Sequence, residues 1–163
     1  MDKNKSFTLV ELLIGAFLLI LFFSITIASM RGFGQQKTLE AQKDRLISTF
    51  ELAKKKSRAG DKGGCSQLDR YEVIIQSIDS YQLRSVCLAG QGISKTFTIP
   101  SLSNIEITDY TNQTTVFQPL TQTASSNCII ITDTKADSCY KLTVVESGII
   151  NDENKSGQLC SCN

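Results

Sequence analysis

The first 58 residues carry a helical pattern of hydrophobic positions that divides into two halves. From Leu12 to Met30 the chain has no charged residue, which is about the length that crosses a bilayer as a helix. After Arg31, apolar residues recur at spacings of three, four and seven, which predicts one buried face of a helix ending near residue 58. These residues are Leu39, Leu46, Ile47, Phe50 and Ala53. The charged residues between them, Lys43 included, are expected on the solvent side.

Beyond residue 65 the pattern changes to the two-residue period of β-strands. The predicted strands cover residues 71–78, 81–88, 95–100, 104–108, 114–118, 127–132, 139–145 and 147–150. Short polar segments at Asp79-Ser80 and at 133–138 predict two hairpins. We therefore predict an α+β fold, in which a long N-terminal helix, transmembrane in its first half and amphipathic in its second, packs on an antiparallel β-sheet domain.

Two glycines lie between the halves of the predicted helix. Gly32 and Gly34 would each cost up to about 1 kcal/mol relative to alanine in a helix interior. They predict a local break or bend in the helix. A simple linker between an anchor and a domain is the alternative, and the residues do not choose between the two.

Charge and composition exclude several functions. The net charge of the whole chain is +1, which speaks against a general electrostatic nucleic-acid binder. There is no histidine, so Ser-His and Cys-His nucleophile pairs and histidine metal ligands are excluded. The acidic residues at 133–153 match no calcium-binding loop. We expect neither enzymatic activity nor a cofactor or metal.

All six cysteines lie in the β-rich part and point to disulfides in an oxidising compartment. The six cysteines allow about fifteen pairings. We expect Cys65–Cys87 to tie the helix exit to the first hairpin and Cys128–Cys139 to cross the second hairpin. Cys160 and Cys162 are too close in sequence to bridge each other without strain, so each either pairs elsewhere or stays a thiol.

One acidic residue, Glu11, stands at the head of the apolar run. The run itself fits a plain signal anchor, a secretory signal cleaved near Ala28, or a segment that needs the Glu11 carboxylate. Residues 5–14 read KSFTLVELLI: a charged leader, a small residue, then Phe7 and an apolar helix with Glu11 as its fifth residue. This motif resembles the N-terminal signal of type IV pilins and pseudopilins.

The resemblance implies cleavage between Ser6 and Phe7 by a prepilin peptidase, followed by N-methylation of Phe7. It also implies that Glu11 pairs with the Phe7 amine of a neighbouring subunit and so fixes the register of a filament. Glu11 could instead only stabilise the first helical turn through the macrodipole. The chain departs from the family in having Ser6 where glycine is usual.

A basic run closes the predicted helix. Lys54, Lys55, Lys56 and Arg58 are favourable near the negative end of a helix. The same cations could form a patch for DNA or an acidic partner. No aromatic residues are interleaved with them, which weakens the DNA interpretation.

Together the pattern and the resemblance predict a leader at 1–6, a transmembrane and filament-core helix at 7–30, its amphipathic continuation at 31–60, and a β-rich domain at 61–163. The family implies a pilin-like fold and a minor pilin or pseudopilin, similar to the H-type pseudopilins of type II secretion. Its partners would be other pilins, the prepilin peptidase and the assembly machinery of the inner membrane. It would sit there as a single-pass protein before entering a filament. A membrane-anchored adhesin or DNA receptor that never polymerises is the alternative.

Overall fold

A computed structural model describes residues 9–121, 123–156 and 160–162 of the chain. Within these ranges, the side chains of 24–33, Gln91, Leu102 and Ser156 are not described. The predicted cleavage and methylation site at Ser6 and Phe7 lies outside the described residues.

The described chain forms one long helix followed by eight strands. Helix α1 covers Leu9–Arg58. The strands are β1 (Leu68–Ser77), β2 (Ser80–Cys87), β3 (Gly90–Thr98), β4 (Ile105–Tyr110), β5 (Thr114–Phe117), β6 (Asn127–Asp133), β7 (Ser138–Val144) and β8 (Ile150–Ser156), with a single 3-10 turn at Ser101–Ser103 before β4.

The strands form two antiparallel sheets rather than the single sheet that we predicted. Sheet A has the order β3-β2-β1-β5, and sheet B has the order β4-β6-β7-β8. Both predicted hairpins are confirmed, since β1 pairs with β2 and β6 with β7. Hydrogen bonds join the two sheets: the Ile107 backbone N–H of β4 donates to the Ile78 carbonyl after β1 at 2.7 Å, and the Asn127 side-chain amide of β6 donates to the Thr115 hydroxyl of β5 at 2.7 Å. The predicted last strand, 147–150, begins too early, because the last strand in the structure is β8 at Ile150–Ser156.

One hydrophobic core joins the second half of α1 to both sheets. Its helical members are Leu39, Leu46, Phe50 and Ala53, none of them more than 1% exposed. They meet alternate residues of the strands: Tyr71, Val73 and Ile75 of β1, Ile129 and Ile131 of β6, and Leu142 and Val144 of β7. The residues that the helical and strand periods place on one face of each element therefore pack together in one core.

The predicted transmembrane helix at 7–30 is corrected by the structure. Among the residues that the structure describes, no helix combines the length and the apolar character needed to cross a membrane. The predicted fold class and the predicted single-pass location in the inner membrane are corrected accordingly.

The expected break at Gly32 and Gly34 is absent from this structure, because α1 continues through both positions. No heavy atom lies within 4 Å of a Cβ built on Gly34, so close packing does not require a glycine there. The chain nevertheless divides into two compact units nearby, residues 1–35 and 36–163. The second unit contains the shared core.

Candidate assembly interface

The first half of α1 is an exposed apolar rod, and we call Leu9–Phe23 the apolar segment. Every residue in it is exposed, and its large hydrophobic side chains are between 46% and 81% accessible. They occupy all sides of the helix: Leu9, Val10, Leu12, Leu13, Ile14, Phe17, Leu18, Leu19, Ile20, Leu21, Phe22 and Phe23. A helix that is hydrophobic all round is normally buried. A continuous exposed patch of this kind marks an interaction site.

Glu11 is the one ionisable residue in the apolar segment. It lies in the first turn of α1, where a carboxylate faces the positive end of the helix macrodipole. This position fits the predicted stabilisation of the first helical turn. Its pairing with Phe7 of a neighbour stays a prediction.

The second half of α1 is fixed to sheet B through a charged residue that we expected in solvent. Lys43 lies four residues after Leu39, on the buried stripe of the helix, and its side chain is only 11% exposed. Its ammonium donates to Asp152 of β8 at 2.8 Å and lies 4.8 Å from the centroid of the Tyr140 ring. Burial lowers the pKa of Lys43, but its bonds to Asp152 and Asp44 outweigh that effect and raise it. The solvent-side prediction for Lys43 is therefore wrong.

The end of α1 is held by the segment that follows β5. Ser57 is buried, and its hydroxyl donates to the carbonyl of Phe117 at 3.2 Å and also to that of Gln118. In return, the Leu120 backbone N–H donates to the Ser57 carbonyl at 3.1 Å. These contacts satisfy carbonyl and hydroxyl groups at a helix end that would otherwise be buried without partners.

The basic run at the end of α1 is partly neutralised by neighbouring acids. Lys54 lies 3.5 Å from Glu51, and Lys56 forms an ion pair with Asp61. Lys55 and Arg58 are exposed. Three of the four cations fall in the last turn of the helix, where they interact favourably with its negative end.

A buried carboxylate cross-links the first two strands of sheet A. Glu72 of β1 is 3% exposed. It accepts hydrogen bonds from Arg70 at 2.6 Å and from Arg84 of β2 at 2.8 Å. Burial raises the pKa of the Glu72 carboxyl, but the two guanidinium groups outweigh burial and the net shift is downward. The group is placed to hold the hairpin together, and sequence reasoning did not single it out.

All six cysteines are paired, and one of the two expected bridges is present. Cys65 is bonded to Cys87 as expected. Cys128 is bonded to Cys162 and Cys139 to Cys160, so the expected Cys128–Cys139 bridge is wrong. The register of the hairpin explains the difference, because Cys128 lies opposite Thr143 and Cys139 opposite Thr132. The two cysteines are therefore about 13 Å apart along the ladder.

Comparisons with known proteins leave the chain without an identified relative. No family model matches it, and neither a curated protein nor a solved structure shows a significant match.

Proposed function

We propose that the chain is a non-enzymatic subunit of a pilin-like filament, and that it assembles through the apolar segment. The observation that carries the proposal is the exposure of large hydrophobic side chains on every side of the helix between Leu9 and Phe23. Each such side chain contributes about 1.5–3 kcal/mol when it is fully buried. Several copies of the segment packed side by side would bury all its faces at once, which a single flat partner would not do.

Two further features support a filament subunit. The segment begins two residues after Phe7, within the stretch KSFTLVELLI that resembles a prepilin signal, and Glu11 would be the fifth residue of the processed chain. The folded unit at 36–163 has its own core and three disulfides. This unit would therefore stay folded while the apolar segment becomes packed against other subunits. Three disulfides in one small unit favour an oxidising compartment.

The experiment is to co-express the full chain with a prepilin peptidase and to determine the intact mass and N-terminal sequence of the product. We expect a chain that begins at N-methylated Phe7. A Phe7→Ala variant and a peptidase-free culture serve as controls. A product that still begins at Met1, or one that begins near Ser29, would contradict the proposal, since neither would carry the processed head of the helix.

A further inference from the structure

Two disulfides hold the last described residues of the chain against the outer face of sheet B. On β6, Ile129 and Ile131 face the main core. Cys128 and Ile130 instead form a separate cluster with Cys139, and Cys160 and Cys162 pack against it. Ile130 is fully buried in this cluster. We call residues 160–162 the tail clip, because they cover an apolar strip that would otherwise face solvent.

The two cysteines of each bridge differ in their exposure to solvent. Cys128 and Cys139 are 7% and 2% exposed, whereas Cys160 and Cys162 are partly exposed. A cavity of about 260 Å³ lies beside the Cys139–Cys160 bridge. Thiol–disulfide exchange requires access of a thiolate to a sulfur atom. An incoming thiol therefore meets the tail cysteines before it meets their partners on the sheet.

The cavity carries a charge pattern that selects among thiols. Asp109 and Asp137 line it together with Cys139 and Cys160. Lys155 of β8 lies opposite Cys139 in the strand register. Its charge is partly balanced by Glu153, which lies 3.9 Å from its ammonium. The remaining carboxylates repel an anionic thiol, so a neutral or cationic thiol approaches more readily.

The third bridge has a similar exposure, since Cys65 is 6% exposed and Cys87 is partly exposed, but its backbone surroundings differ. Cys87 belongs to β2 and is paired in register with both Leu68 and Gly90. Next to it, the Leu88 backbone N–H donates to the Gln67 carbonyl at 3.2 Å, so both sides of the bridge are also joined by backbone. The tail clip has no assigned strand or helix among its described residues. Its Cys162 N–H donates to the Asp109 carboxylate at 3.0 Å.

We propose that the Cys139–Cys160 and Cys128–Cys162 bridges form a thiol–disulfide exchange site for neutral or cationic dithiols, and that exchange there releases the tail clip while the main core stays folded. A thiolate of the dithiol attacks the Cys160 sulfur and forms a mixed disulfide, and Cys139 leaves as a thiolate that takes up a proton. The second thiol of the reagent then closes a cyclic disulfide and releases Cys160. Two electrons pass from the dithiol to each bridge that opens.

The test uses the oxidised full chain and limiting dithiothreitol, followed by alkylation and peptide mass spectrometry over time. We expect Cys160 and Cys162 to be alkylated about tenfold faster than Cys65 and Cys87, because Cys87 is paired within β2 to both neighbouring strands, whereas the tail clip has no strand or helix to hold it. Hydrogen exchange on the partly reduced protein should show lost protection at the Cys162 amide, which donates to Asp109, and retained protection in β6, β7 and the second half of α1, which share the main core. Opening of Cys65–Cys87 at an equal or higher rate, or loss of protection throughout, would overturn the proposal.

Charge selection is tested separately with two monothiols, cationic cysteamine and anionic glutathione. We expect cysteamine to open the Cys139–Cys160 bridge faster, and the ratio of the two rates to fall in Asp137→Asn. Asparagine suits this position because residue 137 has a φ of 47°, a conformation that asparagine tolerates. Asp79→Asn serves as the control. Equal rates for the two thiols, or a ratio that Asp137→Asn leaves unchanged, would remove the assigned selectivity.

Discussion

The Lys43 ammonium of α1 donates a hydrogen bond to the Asp152 carboxylate of β8 at 2.8 Å, within a helix face that otherwise consists of core residues. This pair fixes the helix to the last of the described strands. It is flanked by the Tyr140 ring, which lies under the same ammonium. The contact therefore combines a charge pair, a cation–π interaction and the burial of the lysine stem.

Replacing Lys43 should destabilise the folded unit. We expect Lys43→Ala to lower the free energy of unfolding by about 1–2 kcal/mol, because it removes a hydrogen bond to a charged group together with the packing of the stem. Lys37→Ala is the matched control, since Lys37 is paired with Glu40 on the same helix but has a side chain that is 60% exposed. Urea unfolding of both variants makes the comparison, and equal losses would show that the Asp152 contact has no special weight.

The contacts of Glu72 with Arg70 and Arg84 predict how the free energy of unfolding depends on pH. Burial raises the pKa of Glu72, but its hydrogen bonds from Arg70 and Arg84 outweigh burial and hold the pKa in the folded protein below its ordinary value. The contribution of this carboxylate is therefore fully present above the unfolded pKa. That contribution is lost as the pH falls through the folded pKa. We expect the wild type to lose more stability than Glu72→Gln as the pH falls below about 4.5.

Thermal unfolding across that pH range provides the measurement for Glu72. The pKa of Asp61 is also lowered, chiefly by its hydrogen bond from Lys56, and it contributes a loss of the same sign to both proteins. The difference between wild type and Glu72→Gln therefore isolates Glu72. Parallel pH profiles for the two proteins would rule out the assigned role.

The buried stripe of α1 predicts a sharp contrast between two leucines. Leu46 is fully buried, and Leu52 is 40% exposed. We expect Leu46→Ala to cost about 2–5 kcal/mol through lost burial and the cavity left behind. Leu52→Ala should cost less than about 1 kcal/mol. Chemical denaturation measures both, and a similar cost at the two positions would mean that the second half of α1 does not pack as described.

Much of the fold follows from local periodicity. Alternation predicts that Tyr71, Val73 and Ile75 face the core, and they do. The spacing from Leu39 to Ala53 likewise predicts the buried stripe of α1. The charge of Lys43 favours solvent, but its position four residues after Leu39 and three before Leu46 places it on the buried face of the helix.

Contacts between residues that are far apart in the sequence could not be predicted from local periodicity. The division into two sheets depends on β5 pairing with β1 and β4 with β6, and no local signal selects these partners. The burial of Ile130 on the outer face of sheet B depends on a tail about thirty residues later, held by bridges whose pairing the sequence leaves open. The sequence predicts the apolar segment, but it does not show what the segment packs against.

Glu11 provides a test of register in the proposed filament. We expect Glu11→Gln to reduce incorporation into filaments by about ten- to hundredfold, because a hydrogen bond to a charged group contributes about 1.5–3 kcal/mol. Folding of residues 36–163 should be unchanged, as judged by thermal unfolding. Glu40→Gln is the control on the same helix. Normal incorporation of the Glu11 variant would leave the carboxylate only its role in stabilising the first helical turn.

The central claim is that the apolar segment is the assembly interface of a filament subunit. The most direct measurement is quantitative mass spectrometry of the sheared filament fraction from cells that make the chain together with its assembly system. We predict that the wild type and Ile78→Asp, which alters an exposed residue of the folded unit, are both found in filaments, whereas Leu13→Asp is absent. Absence of the wild-type chain from filaments, or incorporation of Leu13→Asp at the wild-type level, would contradict the claim.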